Sequence, residues 1–312
     1  MKQETLVILN PASAGGATGR CAHSLRERLE ARFGALDFET TRGPRDATRI
    51  ATDACRSGVE RLLIAGGDGT TSEVAAGLLG CPPESRPALG LLPLGSGLDL
   101  ARSLSLPRDL ESALDVIEAG ALRRVDAGEI EYSDDQGTIC HGYFVNESSA
   151  GLSGETVRLV GASSKRLGPR LGFLVGAVGA ILGHRPVALA VEIDGARVYE
   201  GLVSMVIAAN GAYFGAGMRV APDAQVDDGF LEVVIVRGLS IPRLLANFPS
   251  IYRGGHLGHS RVSRHRARKL VLIPKEAGAP VDVDGESVGT LPLRAEILPA
   301  ALRIFAPTRA SR

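Results

Sequence analysis

The chain lacks a dominant charge: its 312 residues carry 35 Lys+Arg against 35 Asp+Glu. With no net field, nothing recruits nucleic acid or a membrane to the molecule as a whole, so attraction to an anionic surface has to come from a local patch. Cysteine is sparse. Cys21, Cys55, Cys81 and Cys140 form no Cys-x-x-Cys pair, which reads as scattered reduced thiols rather than a zinc site or a disulfide framework. No run reaches the ~20 apolar residues that span a bilayer, and residues 1–5 lead straight into an apolar strand, so no secretory signal is expected. Internal repeats and low-complexity tracts are absent as well. So are the Gly-x-x-x-x-Gly-Lys-Ser/Thr loop and the His-Arg-Asp and Asp-Phe-Gly sets of protein kinases, which sets aside both common kinase architectures.

What is present is globular: 45% hydrophobic and 22% charged residues, with 39 glycines and 17 prolines for many turns. The length favours two domains. The stretch Ala65-Gly66-Gly67-Asp68-Gly69-Thr70 follows the apolar run Leu62-Leu63-Ile64. Glycines there let a turn adopt positive φ and leave backbone N–H groups open to a phosphate. Asp68 stands where phosphate-bound Mg²⁺ or an ordering hydrogen bond is expected. Thr70 and Thr71 offer hydroxyls before a helix whose N-terminus favours anions. An ordinary strand–helix turn accounts for such a stretch equally well when it stands alone.

Alternation of short apolar runs and amphipathic segments continues on both sides. Strands are predicted at 6–9, 38–41, 61–65 and 89–92, and helices at 21–33, 45–56, 72–79 and 110–119. This order indicates a doubly wound parallel sheet with its ligand loops at the strands' carboxyl ends. Three Gly-rich loops fall there: 10–16, 66–70 and 93–97. From about residue 126 the pattern changes to short alternating or β-branched runs at 188–193, 203–208, 231–236, 270–273 and 281–283. That predicts an antiparallel, sandwich-like second half. The expected domains are 1–128, with about 300–312 returning, and 129–299.

Further carboxylates stand at Asp99, Asp126, Asp227 and Asp228, and at Asp282, Asp284 and Glu286 around Gly285. Each alone fits turn chemistry, since Asp-Gly is common in hairpins. Beside a phosphate-cradling loop they also fit phosphoryl transfer, which needs positioning, cation neutralisation and a base.

The chain resembles the diacylglycerol kinase-like lipid kinases, a family that also includes sphingosine and ceramide kinases and bacterial lipid kinases. The likeness runs through Asn10-Pro11-Ala12-Ser13, Gly66-Gly67-Asp68-Gly69-Thr70 with Glu73, and Pro93-Leu94-Gly95-Ser96 with Asp99-Leu100-Ala101-Arg102. It continues through Arg124-Val125-Asp126, Phe144-Val145-Asn146 with Gly151, and Ala209-Asn210-Gly211 with Phe214-Gly215. Ala221-Pro222-Asp223-Ala224, Asp227-Asp228-Gly229 and Asp284-Gly285-Glu286 complete it. The Gly-Gly-Asp-Gly loop is shared with NAD kinases and phosphofructokinases; the ordered set ending in Asp-Gly-Glu is far more specific.

The resemblance implies a nucleotide-binding α/β domain, a β-sandwich lipid-substrate domain, and ATP with Mg²⁺ in the cleft between them. ATP contacts would come from Asn10, Pro11, Ala12, Ser13, Ala14, Thr41, Gly66, Gly67, Asp68, Gly69, Thr70, Thr71, Ser72, Glu73 and Ser96. Asp284 and Glu286 would form the catalytic end, one as general base toward the lipid hydroxyl; Glu286 is favoured and the pair is held open. Asp228, with the backbone carbonyls of Gln225 and Phe230, matches a structural metal site. Asp68, Asp99 and Asp126 would link a metal and hydrogen-bond network, with Arg102 retained beside it. Two departures stand out: Leu98 where the family usually has Asn before Asp99, and Ala14 where Gly usually follows Asn-Pro-x-Ser.

The expected activity is ATP- and Mg²⁺-dependent phosphorylation of a hydroxyl on diacylglycerol or a related lipid. A soluble-acceptor kinase of the NAD kinase kind is the alternative, and so is a non-catalytic regulator. The protein is expected to be cytoplasmic and peripheral to membranes, with no nucleic-acid partner and the homodimer left open. Two features bear on the lipid. Residues 171–182 form an apolar run with Lys165, Arg166 and Arg170 before it and His184 and Arg185 after it, read as an interfacial helix or as one buried against the sandwich. Arg261, Arg264, His265, Arg266, Arg268 and Lys269 could attract anionic headgroups, against a solvated strand face as the default. His256 and His259 are read as structural or solvent-exposed.

Overall fold

Uninterrupted apolar runs build the first sheet. In the computed structural model, which describes residues 4–167, 169–276 and 278–307, the chain divides into two units, 1–125 with 300–312, and 126–299. The first contains β1 (Thr5–Leu9), α1 (Ser13–Arg20), α2 (Ala22–Phe33), β2 (Asp37–Thr40), α3 (Asp46–Ser57), β3 (Arg61–Gly66), α4 (Asp68–Leu79), β4 (Ala88–Pro93), α5 (Asp99–Ser103) and α6 (Leu110–Glu118). β1 is buried along its whole length and β3 beyond Arg61, as strands covered on both faces must be. The pairings are all parallel, in the order β2-β1-β3-β4, with Ile304 of the returning chain beside Leu89 on β4. Register matches Leu9 with both Thr40 and Ala65, and Gly66 with Pro93. The loops that follow these residues therefore emerge side by side at one edge.

α3 shows why the flanking segments are helical. It buries Ala47, Ile50, Ala51, Ala54 and Cys55, the i, i+3, i+4, i+7, i+8 stripe of an amphipathic helix. Gly58 ends it at φ 72°, its N–H turned to the Cys55 carbonyl.

The second unit begins within β5 (Leu122–Ser133) and holds β6 (Ile139–Phe144), β7 (Glu147–Gly151), α7 (Leu152–Leu167), α8 (Pro169–Leu182), β8 (Val187–Ile193), β9 (Ala196–Ala209), β10 (Leu231–Arg237), α9 (Ile241–Asn247), β11 (Val262–Ala267), β12 (Lys269–Pro274), β13 (Pro280–Val283) and β14 (Glu286–Phe305), whose last residues return to the first unit. Antiparallel pairings close on themselves: β9 with β8 and β7, β8 with β12, β12 with β14, β14 with β13, and β13 with β7. Run lengths in the sequence predict β8, β9, β12 and β13, but neither β7, the first part of β14, nor this ring. They also give no sign of α7.

Side-chain alternation explains why β9 and β10 read as continuous apolar runs. Val206, Ala208, Val233 and Ile235 fill the ring. Ile207, Ala209, Val234 and Val236 point the other way, toward a second cluster with Ile181 and Leu244. On α8, Ala177, Ala180 and Ile181 are buried while Leu174, Val175 and Leu182 are exposed, so the apolar run packs on one face only. The side chains of Lys165, Arg166 and Arg170 lie outside the described residues. Among the described residues no helix is long and apolar enough to cross a membrane.

Candidate active site

Loops after β1, β3 and β4 meet at the carboxyl edge of the parallel sheet. Asn10 ties two of them: its side-chain amide donates to Thr70 Oγ1 at 2.8 Å, while its Oδ1 accepts the Ala12 N–H at 3.0 Å. Beyond Ser13 the backbone is left-handed at Ala14 (φ 52°), Gly15 (64°) and Gly16 (86°), and Ala14 and Gly15 are exposed. A main chain bent this way and short of side chains can approach an anion closely. At the neighbouring loops, a Cβ on Gly95 would collide with the Gly67 backbone, and one on Gly97 with the Asp68 carboxylate. The two loops pack backbone to backbone only because these positions are glycine.

The structure corrects one detail of the sequence reading here. α4 starts at Asp68, not after Thr70, so Gly69 and Thr70 belong to its first turn and Gly66-Gly67 alone make the bend. Its first N–H groups have no intrahelical acceptor, an arrangement that favours an anion at the strand end. Asp68 serves the ordering hydrogen bond: its Oδ1 accepts the Asp99 N–H at 2.8 Å, at the start of α5. Burial pushes the Asp68 carboxyl above its ordinary range, opposed by the N–H groups of Asp99, Leu98 and Leu100 and by the Arg102 charge. Asp99 is buried and meets Arg102 Nη1 at 3.4 Å. Leu98, between the two aspartates, is left-handed at φ 58°, ψ 42°. Thr41 is buried, its N–H bonded to the Leu9 carbonyl at 2.9 Å. Glu73 turns aside: its Oε2 accepts the Ala47 N–H of α3 at 3.1 Å. Ser96 is exposed. This set fits the triphosphate of a nucleotide, with glycine-lined main chain and a helix start where the phosphates would lie.

In the second unit, Asp284 and Gly285 form the two-residue turn joining β13 to β14, with Val283 paired to Glu286. Both turn residues have positive φ, 48° and 86°, the backbone that Asp-Gly favours in tight hairpins. Three N–H groups converge on the Asp284 carboxylate, from Val145, Asn146 and Glu147, each at 2.9 Å. Its own N–H returns to the Glu147 carbonyl at 3.0 Å. Glu286, next along, is exposed. Asn210 holds the bend that presents those donors: fully buried, its amide reaches the carbonyls of Val145 at 2.8 Å and Asp126 at 2.9 Å.

Beneath this turn lie two residues of which the sequence gives little sign. Glu147 and Asp282 are 1% and 2% exposed, and each carboxyl group acts on the other's proton affinity. Burial, then the Asp282 charge and hydrogen bond, pushes the Glu147 carboxyl well up. Burial also pushes Asp282 up to about 7, against the hydrogen bonds from Glu147 and the Gly285 N–H. Asp282 stands in an acidic cluster of the sequence; nothing there singles out Glu147, beside Ser148 and Ser149.

Asp126 belongs to the second unit, where its Oδ2 accepts the Gly229 N–H at 2.7 Å and so fixes the Asp227-Asp228-Gly229 loop. At Asp228, implied as a ligand of a structural metal with the Gln225 and Phe230 carbonyls, both carboxylate oxygens already have partners. Asp228 Oδ1 accepts the Phe230 N–H at 3.1 Å and Oδ2 meets the Arg266 guanidinium at 2.6 Å. That guanidinium also lies 4.2 Å over the Phe230 ring, so a fixed cation already neutralises the loop. Arg264 pairs with Asp223 in the same way and Arg268 sits 5.1 Å from Phe230, which ties down part of the basic strip. His256 is buried against the Val220 carbonyl and His259 accepts the Arg261 N–H.

Comparison with known proteins places both units. Residues 4–130 match the diacylglycerol kinase catalytic domain, and residues 146–306 match the YegS C-terminal NAD kinase beta sandwich-like domain. A Chromohalobacter salexigens protein named "Probable lipid kinase YegS-like" is 34% identical over 84% of this chain and 81% of its own length. A diacylglycerol kinase of Staphylococcus carnosus is 27% identical over 98% of this chain and 96% of its own. Among solved structures, a diacylglycerol kinase from Bacillus anthracis superposes with a TM-score of 0.72 at 21% identity, covering 98% of this chain and 97% of that one. A glycine-built nucleotide edge, a clasped Asp-Gly-Glu turn and these matches over both units lead to one assignment: the chain belongs to the diacylglycerol kinase-like family of bacterial lipid kinases.

Proposed function

We propose that this lipid kinase transfers the γ-phosphoryl group of ATP to the hydroxyl of diacylglycerol or a closely related lipid, with Asp284 and Glu286 as its acid–base end. The observation that carries this reading is the Asp284-Gly285 turn. Three backbone donors pin one carboxylate, and a second, on Glu286, is exposed at the start of a β-strand. Mg²⁺-bound ATP, when present, supplies the phosphoryl group and neutralises its charge.

The chain's own residues do the rest. Main-chain N–H groups of Gly67–Thr70 at the head of α4, with the left-handed turn at Ala14–Gly16, hold the phosphates; Asn10 and Thr70 keep those loops in register. Asp68 holds α5 through the Asp99 N–H, which keeps Ser96 and Gly97 at the same edge. The Asp284–Glu286 pair takes the proton of the acceptor hydroxyl as its oxygen attacks. Exposed Leu174, Val175 and Leu182 on α8 are the apolar surface we assign to peripheral contact with the membrane that carries the substrate.

Incubation with Mg-ATP and dispersed diacylglycerol should yield phosphatidic acid, and Asp284→Ala and Glu286→Ala should each abolish it. Lack of transfer to any lipid class by a folded wild-type protein, or NADP formation from NAD in the same assay, would overturn the reading.

A further inference from the structure

Phosphoryl transfer as described gives no task to two deeply buried acids of the second unit. Glu147 opens β7 and Asp282 lies on β13, two residues before Asp284. An isolated carboxylate in such surroundings is strongly disfavoured, and two adjacent ones more so. With both carboxyl groups buried and each raising the other's proton affinity, a proton is held on one of them. Both also grip the turn above. Asp282 Oδ1 accepts the Gly285 N–H at 2.9 Å. Glu147 gives its N–H to Asp284 Oδ1 and takes the Asp284 N–H on its carbonyl. One Glu147 oxygen, Oε2, has no hydrogen-bond partner. A fold selected only for stability would replace such a pair with apolar side chains.

We propose that Glu147 and Asp282 are positioning residues for the lipid phosphorylation, a buried acid pair whose single ionisation places a negative charge beneath the Asp284–Glu286 turn and sets the pH above which that turn accepts the substrate proton. The proposal rests on the kinase reading above. The groups that face the pair are few. Ser149 offers its hydroxyl to Asp282 Oδ2, and Asp284 adds a like charge to both acids. From β9 the residue opposite Glu147 is Ala209, and from β14 Ser287 stands opposite Asp282, with Glu286 beside it. From α7, Glu155 is taken up by Arg158 at the surface. With the Asp282 carboxyl pushed up to about 7, the pair is neutral in mild acid and singly charged above neutrality. A like charge close to Asp284 makes the turn a stronger proton acceptor.

The test compares kcat against pH for wild type, Glu147→Gln and Asp282→Asn, with saturating Mg-ATP and dispersed diacylglycerol. Wild-type kcat should rise through about pH 7. Asp282→Asn should lose that inflection. Glu147→Gln should keep it but shifted to lower pH, because the amide can donate to Asp282 and carries no charge of its own. An unchanged inflection in both variants, or a uniform loss at every pH, would overturn the proposal. Infrared titration of the wild-type protein supplies a readout that needs neither variant nor turnover. A protonated-carboxyl band should persist above about pH 5, where exposed acids are ionised, and lose intensity through about pH 7. Absence of that band overturns the proposal even where lipid is phosphorylated. Its presence in a protein that phosphorylates no lipid overturns the kinase reading instead.

Discussion

Ala14 and Leu98, the two departures from the family pattern, both occupy left-handed backbone. Ala14 sits at φ 52°, ψ 39° and is exposed, with only a methyl group to lose. The left-handed region costs an L-residue roughly 1–2 kcal/mol, and glycine nothing comparable. Glycine also frees the unfolded chain, which returns roughly 0.4–1 kcal/mol to the unfolded state. Ala14→Gly should therefore stabilise the protein by about 0.5–1 kcal/mol. At an ordinary helical position the same change costs roughly 0.5–1 kcal/mol, so the sign alone is diagnostic. Leu98 needs a paired comparison, because its side chain lines a small crevice with Leu100, Leu106 and Pro107. Leu98→Ala and Leu98→Gly lose the same packing, yet Leu98→Gly should be the more stable of the two by a similar amount. The chain has no tryptophan, so the assay is thermal unfolding followed by far-ultraviolet circular dichroism. A shift of about 2–4 °C per kcal/mol is expected for proteins of ~150–250 residues. A lower melting temperature for Ala14→Gly, or Leu98→Ala more stable than Leu98→Gly, would refute the backbone reasoning.

Three further outcomes follow from the same geometry. The raised carboxyls of Glu147 and Asp282 bind protons more tightly folded than unfolded, so their contribution is fully present below about pH 4 and is lost as pH rises through about 7. Glu147→Gln should accordingly raise the melting temperature more at pH 8 than at pH 5, and an equal gain at both would contradict the assignment. If Arg266 serves the Asp228 loop in place of a metal, a chelator leaves the melting curve of the ATP-free protein unchanged. Arg266→Ala should cost about 1 kcal/mol, from an exposed ion pair of ~0–1 kcal/mol and a cation–π contact of ~0.5–1 kcal/mol; a chelator-induced drop restored by Mg²⁺ would show the opposite. Finally, Cys55 and Cys81 are buried while Cys21 and Cys140 are half-exposed, and burial pushes the Cys55 thiol up to about 12. A thiol reagent at about pH 8 should label Cys21 and Cys140 in the native protein and reach the other two only on unfolding.

How far the sequence disclosed the molecule depends on whether a residue's task is local. Apolar runs such as Leu62-Leu63-Ile64 announce a strand buried on both faces, because every side chain in the run has to meet the same apolar surroundings. The Gly66-Gly67 bend was legible for the same reason, since the turn's demand is met by the residues in it. The glycine at 95 was not: its purpose is to let a second loop approach Gly67, and that contact is visible only once the register of β3 and β4 is known. Helix starts fared similarly. Asp68 reads as a loop carboxylate in sequence, and becomes a first-turn residue because its side chain finds the Asp99 N–H thirty-one residues away.

The acid pair marks where periodicity fails outright. No apolar periodicity marks Glu147, Ser148 and Ser149, and polar residues usually lie at the surface; the structure buries all three. What makes their burial tolerable is supplied by β13: the Asp282 carboxyl and carbonyl accept from Ser149 and Ser148, and the Asp282 and Glu147 carboxyls lie in the same buried patch. Each partner is more than a hundred residues distant, so neither segment alone carries the information. A buried carboxyl that depends on distant partners yields stability for some other return. The nearest candidate for that return is the turn it touches, in which Asp284 is held by the very peptide that begins with Val145 and ends with Glu147. Removing the charge of the pair without removing its hydrogen bonds separates the two roles, because packing does not titrate and proton affinity does.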